Sequence, residues 1–293
     1  MTAVSHGKPF YFPGIGALFV LLWSTGFIGA KLGLPYAEPL TFLALRMALV
    51  SVLLAATAVF TAAPWPKDGR ELTHIVVAGL LVHGGYLSGV FSAIHQGLSA
   101  GIAALIVGLQ PLLTALAAAI LFGEKPSRRQ WLGLVLGLVG VALVVSNAVG
   151  RAAMTVTGLA LAVFALVSIT AGTLYQKRFG ARTDFRSGGA LQYAATGLVL
   201  LPIAALTETM SVAWTGEFIF ALLWLVLVLS VGAVSLLYLL IKRGKATEVA
   251  SLFYLTPPTT AVMAFALFGE TLQTTALVGM AVAVVGVALV LRK

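Results

Sequence analysis

Apolar residues run along this chain in blocks of about twenty, and polar residues gather in the short joints between them. Stretches such as "LGLVLGLVGVALVV" are apolar on every face, so no side of the helix is written for water. The pattern predicts ten membrane-spanning helices, at 14–31, 39–60, 73–95, 100–122, 129–148, 155–176, 188–206, 218–241, 247–268 and 272–291. A membrane β-barrel would instead need short segments alternating apolar and polar positions. The first block, "LFVLLWSTGFIGAK", runs into a charged joint without a small-residue cleavage site and is read as a retained span.

The tetrapeptide LFGE occurs twice, ending apolar runs at Glu124 and Glu270, and 270 − 124 = 146 residues is half the chain. Sliding the sequence on itself by 146 gives 18 identities in the 45 ungapped positions from Ala100 to Val144. Composition explains matched Ala, Leu and Val, but not Pro111 with Pro257, the two LFGE motifs, and Gly133 with Gly279 in one register. The expected fold is therefore a single all-α integral membrane domain over 1–293, with repeat one at about 1–150 and repeat two at about 151–293. Five spans per repeat is odd, so the halves enter the membrane from opposite sides. Inverted repeats are a recurring plan of transporters that expose a central site alternately to each side.

Composition agrees: 60% of residues are hydrophobic and only 9% are charged. The formal charge of +9 is an orientation signal rather than a nucleic-acid footprint. Of the eighteen Lys and Arg, fifteen fall on the face holding both termini and the even-numbered joints, and only Lys31 and Arg151 on the other. The positive-inside rule then puts both termini in the cytoplasm. With no cysteine, the chain has neither a disulfide framework nor a thiolate metal site.

Polar residues within the spans are the candidates for chemistry, because each is costly there unless it meets a partner, water or cargo. Pro111 and Pro257 interrupt their helices and free a backbone carbonyl, and each follows a polar residue, Gln110 or Thr256. The prolines are candidate hinges, or else static kinks. His83 and Tyr86 lie a turn apart on one face, Trp23 lies too deep for the interfacial belt, and Tyr254 precedes Pro257 by a turn. Together Trp23, His83, Tyr86, Gln110, Tyr254 and Thr256 make a candidate substrate-binding set, with helix packing as the alternative role for each. Arg46, the one full charge away from the very ends of a span, lies nearer the outer end, where its stem has room to snorkel; it is structural or meets a substrate carboxylate. Glu124 and Glu270 are read as turn residues, with gating as the second role. Apart from Glu248 at the very start of the 247–268 span, no Asp or Glu lies inside a span, which weakens proton antiport, although His83 is able to titrate near neutral pH. Neither a phosphate-binding glycine loop nor an H-E-x-x-H metal motif occurs, so no cofactor, metal or catalytic residue is expected.

The runs "LLWSTGFIGAKLGLPYAEPLTFLALR" and "SAGIAALIVGLQPLLTALAAAILFGEKPSRRQWLGLVLGLVGVALVV" resemble the EamA-type branch of the drug/metabolite transporter superfamily, and within it most nearly the YddG aromatic amino-acid exporters. The resemblance implies ten helices, a plasma (inner) membrane location, and export of amino acids, aromatic and other neutral ones, or related small metabolites. The expected partners are the lipid bilayer and a small-molecule substrate, moved by a facilitator, an exchanger or weak proton coupling. The alternatives are proton antiport of other metabolites or cationic drug-like compounds and, more distantly, an intramembrane enzyme or a non-transporting receptor.

Overall fold

The computed structural model describes residues 13–122, 127–148, 155–179, 183–243, 252–270 and 273–291. Glu124 lies outside the described residues, as does the side chain of Tyr254. The described chain is helical almost throughout: α1 (Pro13–Gly33), α2 (Pro39–Phe60), α3 (Gly69–Gly79), α4 (Tyr86–His95), α5 (Ala100–Val107), α6 (Gln110–Phe122), α7 (Arg128–Ala148), α8 (Val156–Phe179), α9 (Phe185–Thr207), α10 (Gly216–Leu223), α11 (Val234–Arg243), α12 (Thr256–Phe268) and α13 (Thr274–Leu291). Wide π-helical turns, Leu80–Gly85 and Trp224–Ala233, join α3 to α4 and α10 to α11.

Local sequence sets where these helices begin and stop. Pro39 opens α2, where its missing N–H costs nothing. Asp68, Ser99, Asp184 and Thr215 cap α3, α5, α9 and α10 by accepting from backbone N–H groups of the first turn. Gly269 ends α12 in the left-handed region at φ 65°, a conformation glycine adopts without a Cβ penalty. Between α5 and α6 the chain tightens at Gly108 and Leu109, where the Leu109 N–H reaches back only three residues to Ile106. Pro111 cannot restore the helical ladder there.

Among the described residues, six stretches are long and apolar enough to cross a membrane by length and composition, including Gly69–His95 and Gly216–Leu237, which run through the π turns. Shorter apolar helices include Ala100–Thr114 and Thr256–Phe268. The chain leaves the regular α-helix at Gly108–Leu109 between α5 and α6, and a 3-10 turn, Phe253–Leu255, precedes α12.

Packing follows small residues. α7 lies along α13 at backbone contact: a Cβ on Gly140 would sit 2.5 Å from the Ala283 nitrogen, and one on Gly286 would sit 2.6 Å from the Gly133 carbonyl. α2 packs on α9, α4 on α8, α5 on α12, and α1 on α10 and the second π turn. The interior is apolar, with Phe19, Phe42, Phe91 and Phe218 fully enclosed. The exterior is apolar too: Phe60 and Leu206 are 88% and 87% exposed, as expected for faces turned to lipid rather than water.

At one end the loop after α1 is sewn to the loop after α9. Both Glu208 carboxylate oxygens accept from the N-terminus of α2, at 2.8 Å from Leu40 N and 2.7 Å from Thr41 N. Glu38 returns the clasp, accepting from the N–H and hydroxyl of Thr209, each at 2.6 Å. An isolated antiparallel bridge between Ala37 and Val212 continues the join.

Candidate functional site

A cavity of about 100 Å³ opens among α1, α2, α4, α8, α9 and the two π turns. Its position follows from those turns. A π turn inserts an extra residue into the helical ladder, so the side chains after it rotate off the face they would otherwise keep. In the first turn His83 is brought to the cavity with Tyr86 just beyond it; in the second, Ser230 is. Glycines let the first turn sit this close to its neighbours: a Cβ on Gly85 would lie 2.6 Å from Ser168 Oγ, and one on Gly79 2.8 Å from the Gln192 backbone.

The walls are mostly apolar, with Trp23, Phe27, His83, Tyr86, Phe91 and Tyr193 supplying rings. His83 stacks on Tyr193 of α9, with ring centres 4.1 Å apart and planes 24° from parallel. Trp23 of α1 stands edge-on to Phe253, 5.2 Å between centres, and packs on Phe19 at 5.4 Å. Such rings offer apolar area with a defined stacking geometry. One charge interrupts them. Arg46 of α2 is only 3% exposed, and its Nη2 donates to Ser230 Oγ at 3.1 Å. Ser230 in turn donates to the Leu225 carbonyl five residues back, at 3.0 Å, so the π turn itself orients this acceptor. Arg46 does not snorkel out of the protein as its place near the end of the span had suggested; its guanidinium is enclosed in the cavity wall.

Of the residues singled out from sequence, Trp23, His83 and Tyr86 line this cavity. Gln110 and Thr256 do not. Gln110 donates to Thr173 Oγ1 at 2.8 Å and ties α6 to α8. Thr256 is buried at the start of α12, where its carbonyl accepts from Ser24 of α1 at 3.4 Å. Pro257 packs beneath Gly108, where a Cβ would lie 3.0 Å from the proline ring, so the interrupted segments α5 and α12 meet at their breaks. Pro111 stands at the second position of α6, just beyond the Gly108–Leu109 break. Sequence reasoning passed over Tyr193 and Ser230. Both announce themselves only as polar residues within otherwise apolar stretches, "GALQYAATG" and "LVLSVGA". Among the described residues no group of three or more His, Asp or Glu is placed to hold a metal ion.

Comparison with known proteins adds to this geometry. The sequence profile of the EamA-like transporter family matches the chain twice, over residues 14–146 and 156–292. The chain is 30% identical over 281 residues, 94% of its length and 90% of the relative's, to the uncharacterized transporter YvbV of Bacillus subtilis. It is 27% identical, over 95% and 90% of the two chains, to the uncharacterized inner membrane transporter YedA of Escherichia coli K12. A probable amino-acid metabolite efflux pump of Salmonella typhimurium is 26% identical over 90% and 89%. The chain thus belongs to the EamA-like transporter family and is a multi-pass membrane transporter.

Proposed function

We propose that this transporter exports amino acids, aromatic and other neutral ones, with related metabolites, across the plasma membrane by alternating access of two inverted five-helix repeats. One observation carries the reading: the central cavity is lined from both halves of the chain, by Trp23, His83 and Tyr86 from the first and Tyr193 and Ser230 from the second. A site shared by two halves changes sides when the halves rock against one another.

The pairing of elements supports the repeat. Shifted by 146 residues, the first π turn overlaps the second (80 + 146 = 226), and the Gly108 break falls on the 3-10 turn (108 + 146 = 254). Two pairs of elements that correspond under this shift pack together, α2 with α9 and α7 with α13. On this reading the proline segments are the interrupted fourth and ninth of ten spans, and Pro111 and Pro257 mark their hinges. The excess of basic residues on one face supports cytoplasmic termini. The aromatic side chains in the wall suit flat or apolar side chains, and the probable amino-acid metabolite efflux pump among the relatives supports a related cargo class. No Asp or Glu lines the cavity among the described residues, in keeping with exchange or facilitated diffusion rather than a carboxylate proton relay.

Counterflow tests this. Proteoliposomes loaded with unlabelled phenylalanine should accumulate external labelled phenylalanine without an imposed pH gradient, and alanine inside should drive it less well. Folded protein that exchanges no amino acid overturns the proposed cargo.

A further inference from the structure

Arg46 is coordinated on only one of its three nitrogens. Nη2 meets Ser230, whereas Nε and Nη1 are buried and have no hydrogen-bond partner. A guanidinium carries five N–H donors and keeps its charge, and burying such a group without an anion is expensive. Among the described residues no carboxylate lines the cavity to neutralise it. The ion pairs among the described residues, Lys31 with Glu270 and Arg186 with Asp184, both lie at helix ends, and the groups facing Arg46 across the cavity are Tyr86, His83, Tyr193 and Ser230. The fold holds this charge rigidly, with a serine whose own proton is committed to Leu225.

We infer that Arg46 is the carboxylate-reading residue of the cavity and determines cargo class: small carboxylates bearing a flat or apolar group. Nη2 carries a second N–H that Ser230 does not use, and a guanidinium presents parallel donors at the spacing of two carboxylate oxygens from Nη2 together with either Nε or Nη1, so one carboxylate forms a bidentate pair with Nη2 and one of the unpartnered nitrogens. The aromatic wall of Trp23, Tyr86 and the His83–Tyr193 stack takes the rest of the molecule. An organic cation of similar shape meets like charge and, among the described residues, no acid, and is rejected. The inference rests on the cavity being the cargo site, and deepens that reading by naming the group recognised.

The test is a ligand series on the purified full chain in nanodiscs, read by thermal shift and by tryptophan fluorescence. The probes are L-phenylalanine, 3-phenylpropionate, L-phenylalaninamide and phenethylamine, which keep the ring and vary the charged ends. Both carboxylates should bind at least tenfold more tightly than the amide or the amine. Arg46→Gln should remove that preference, and Arg46→Lys should restore part of it. If Arg46→Gln does not fold, the wild-type series decides alone. Equal binding of the amide or amine, no binding of either carboxylate, or a preference that survives in Arg46→Gln overturns the assignment. The two proposals fail separately. Carboxylate preference through Arg46 without phenylalanine exchange sinks amino-acid export alone. Phenylalanine exchange inhibited equally by the amide sinks the role of Arg46 alone.

Discussion

Lys31, in the last turn of α1, forms an ion pair with Glu270, 239 positions later at the end of α12, and the same carboxylate oxygen faces the Ala100 N–H that opens α5, 3.5 Å away. One carboxylate thus joins three helix ends. The lysine suits the negative end of the α1 dipole and also lies over the Phe268 ring, 4.9 Å from its centre. Sequence suggested that Glu270 serves the turn that follows it, whereas the structure engages it with α1 and α5.

A pair that ties these ends should help to close its face of the protein. Its side chains are 30% and 12% exposed, so solvent screening limits the coupling to about 1 kcal/mol. That is enough to change the balance of two states severalfold. Glu270→Gln keeps an acceptor for Ala100 and removes only the charge. The chain contains no cysteine, so Val90→Cys in the cavity wall gives a clean reporter. Impermeant maleimide added from the Glu270 side should label it severalfold faster in Glu270→Gln and in Lys31→Gln, and no faster in the double variant than in either single one. Unchanged labelling would leave the pair a purely structural tie.

The contact between α7 and α13 depends on glycine at places where any side chain strikes backbone. A Cβ on Gly140 would lie 2.5 Å from both the Gly279 carbonyl and the Ala283 nitrogen, neither of which is a flexible side-chain tip. Gly140→Val should therefore cost about 3 kcal/mol or force the helices apart. Gly69→Ala, at a position with nothing within 4 Å, should be neutral or slightly stabilising. Melting of the two variants in one detergent compares them directly, and equal midpoints would remove the close-contact argument.

Much of this architecture was legible because a bilayer imposes a simple code: the apolar runs announced the helices, and the glycines in one register marked the repeat, though not that α7 and α13 pack on each other. Trp23, His83 and Tyr86 were legible as polar or aromatic groups at depth. Arg46 was visible but misplaced in environment, since its burial comes from α9 and the second π turn, which no local pattern reports. Gln110 and Thr256 were drawn to the site by their prolines. The breaks at Gly108–Leu109 and Phe253–Leu255 set the faces those residues present, and periodicity cannot be carried through an interrupted helix. The π turns were invisible for a related reason: one extra residue in an all-apolar helix leaves no mark when every face is apolar.

The same comparison separates cavity residues from tie residues in a functional assay. Trp23→Ala and Tyr86→Ala each remove a wall of the cavity and should lower phenylalanine exchange at least tenfold, chiefly through KM, with folded protein retained. Gln110→Ala removes only the hydrogen bond to Thr173 between α6 and α8, and should change KM less than twofold. A Gln110 variant with the larger effect on KM would restore it to the binding set.

The Glu38–Thr209 clasp gives the final prediction, one of pH. Hydrogen bonds from the Thr209 hydroxyl and N–H hold the Glu38 carboxyl below its usual value of 4.5. A carboxylate whose folded pKa is depressed stabilises the fold above its unfolded pKa, and that contribution disappears as pH falls through the lower folded value. Glu38→Gln keeps the shape and loses the charge, so at pH 7 it should melt below the wild type. Asp184, lowered by Arg186 at the N-terminus of α9, follows the same sign but is present in both proteins and cancels in the difference. Between pH 5 and pH 3 the gap in melting temperature should therefore narrow towards zero, because protonation gives the wild type the neutral side chain that the variant already has. A gap that stays constant over that window would mean that the loop join rests on the Ala37–Val212 bridge and the Glu208 contacts to α2, with Glu38 only following them.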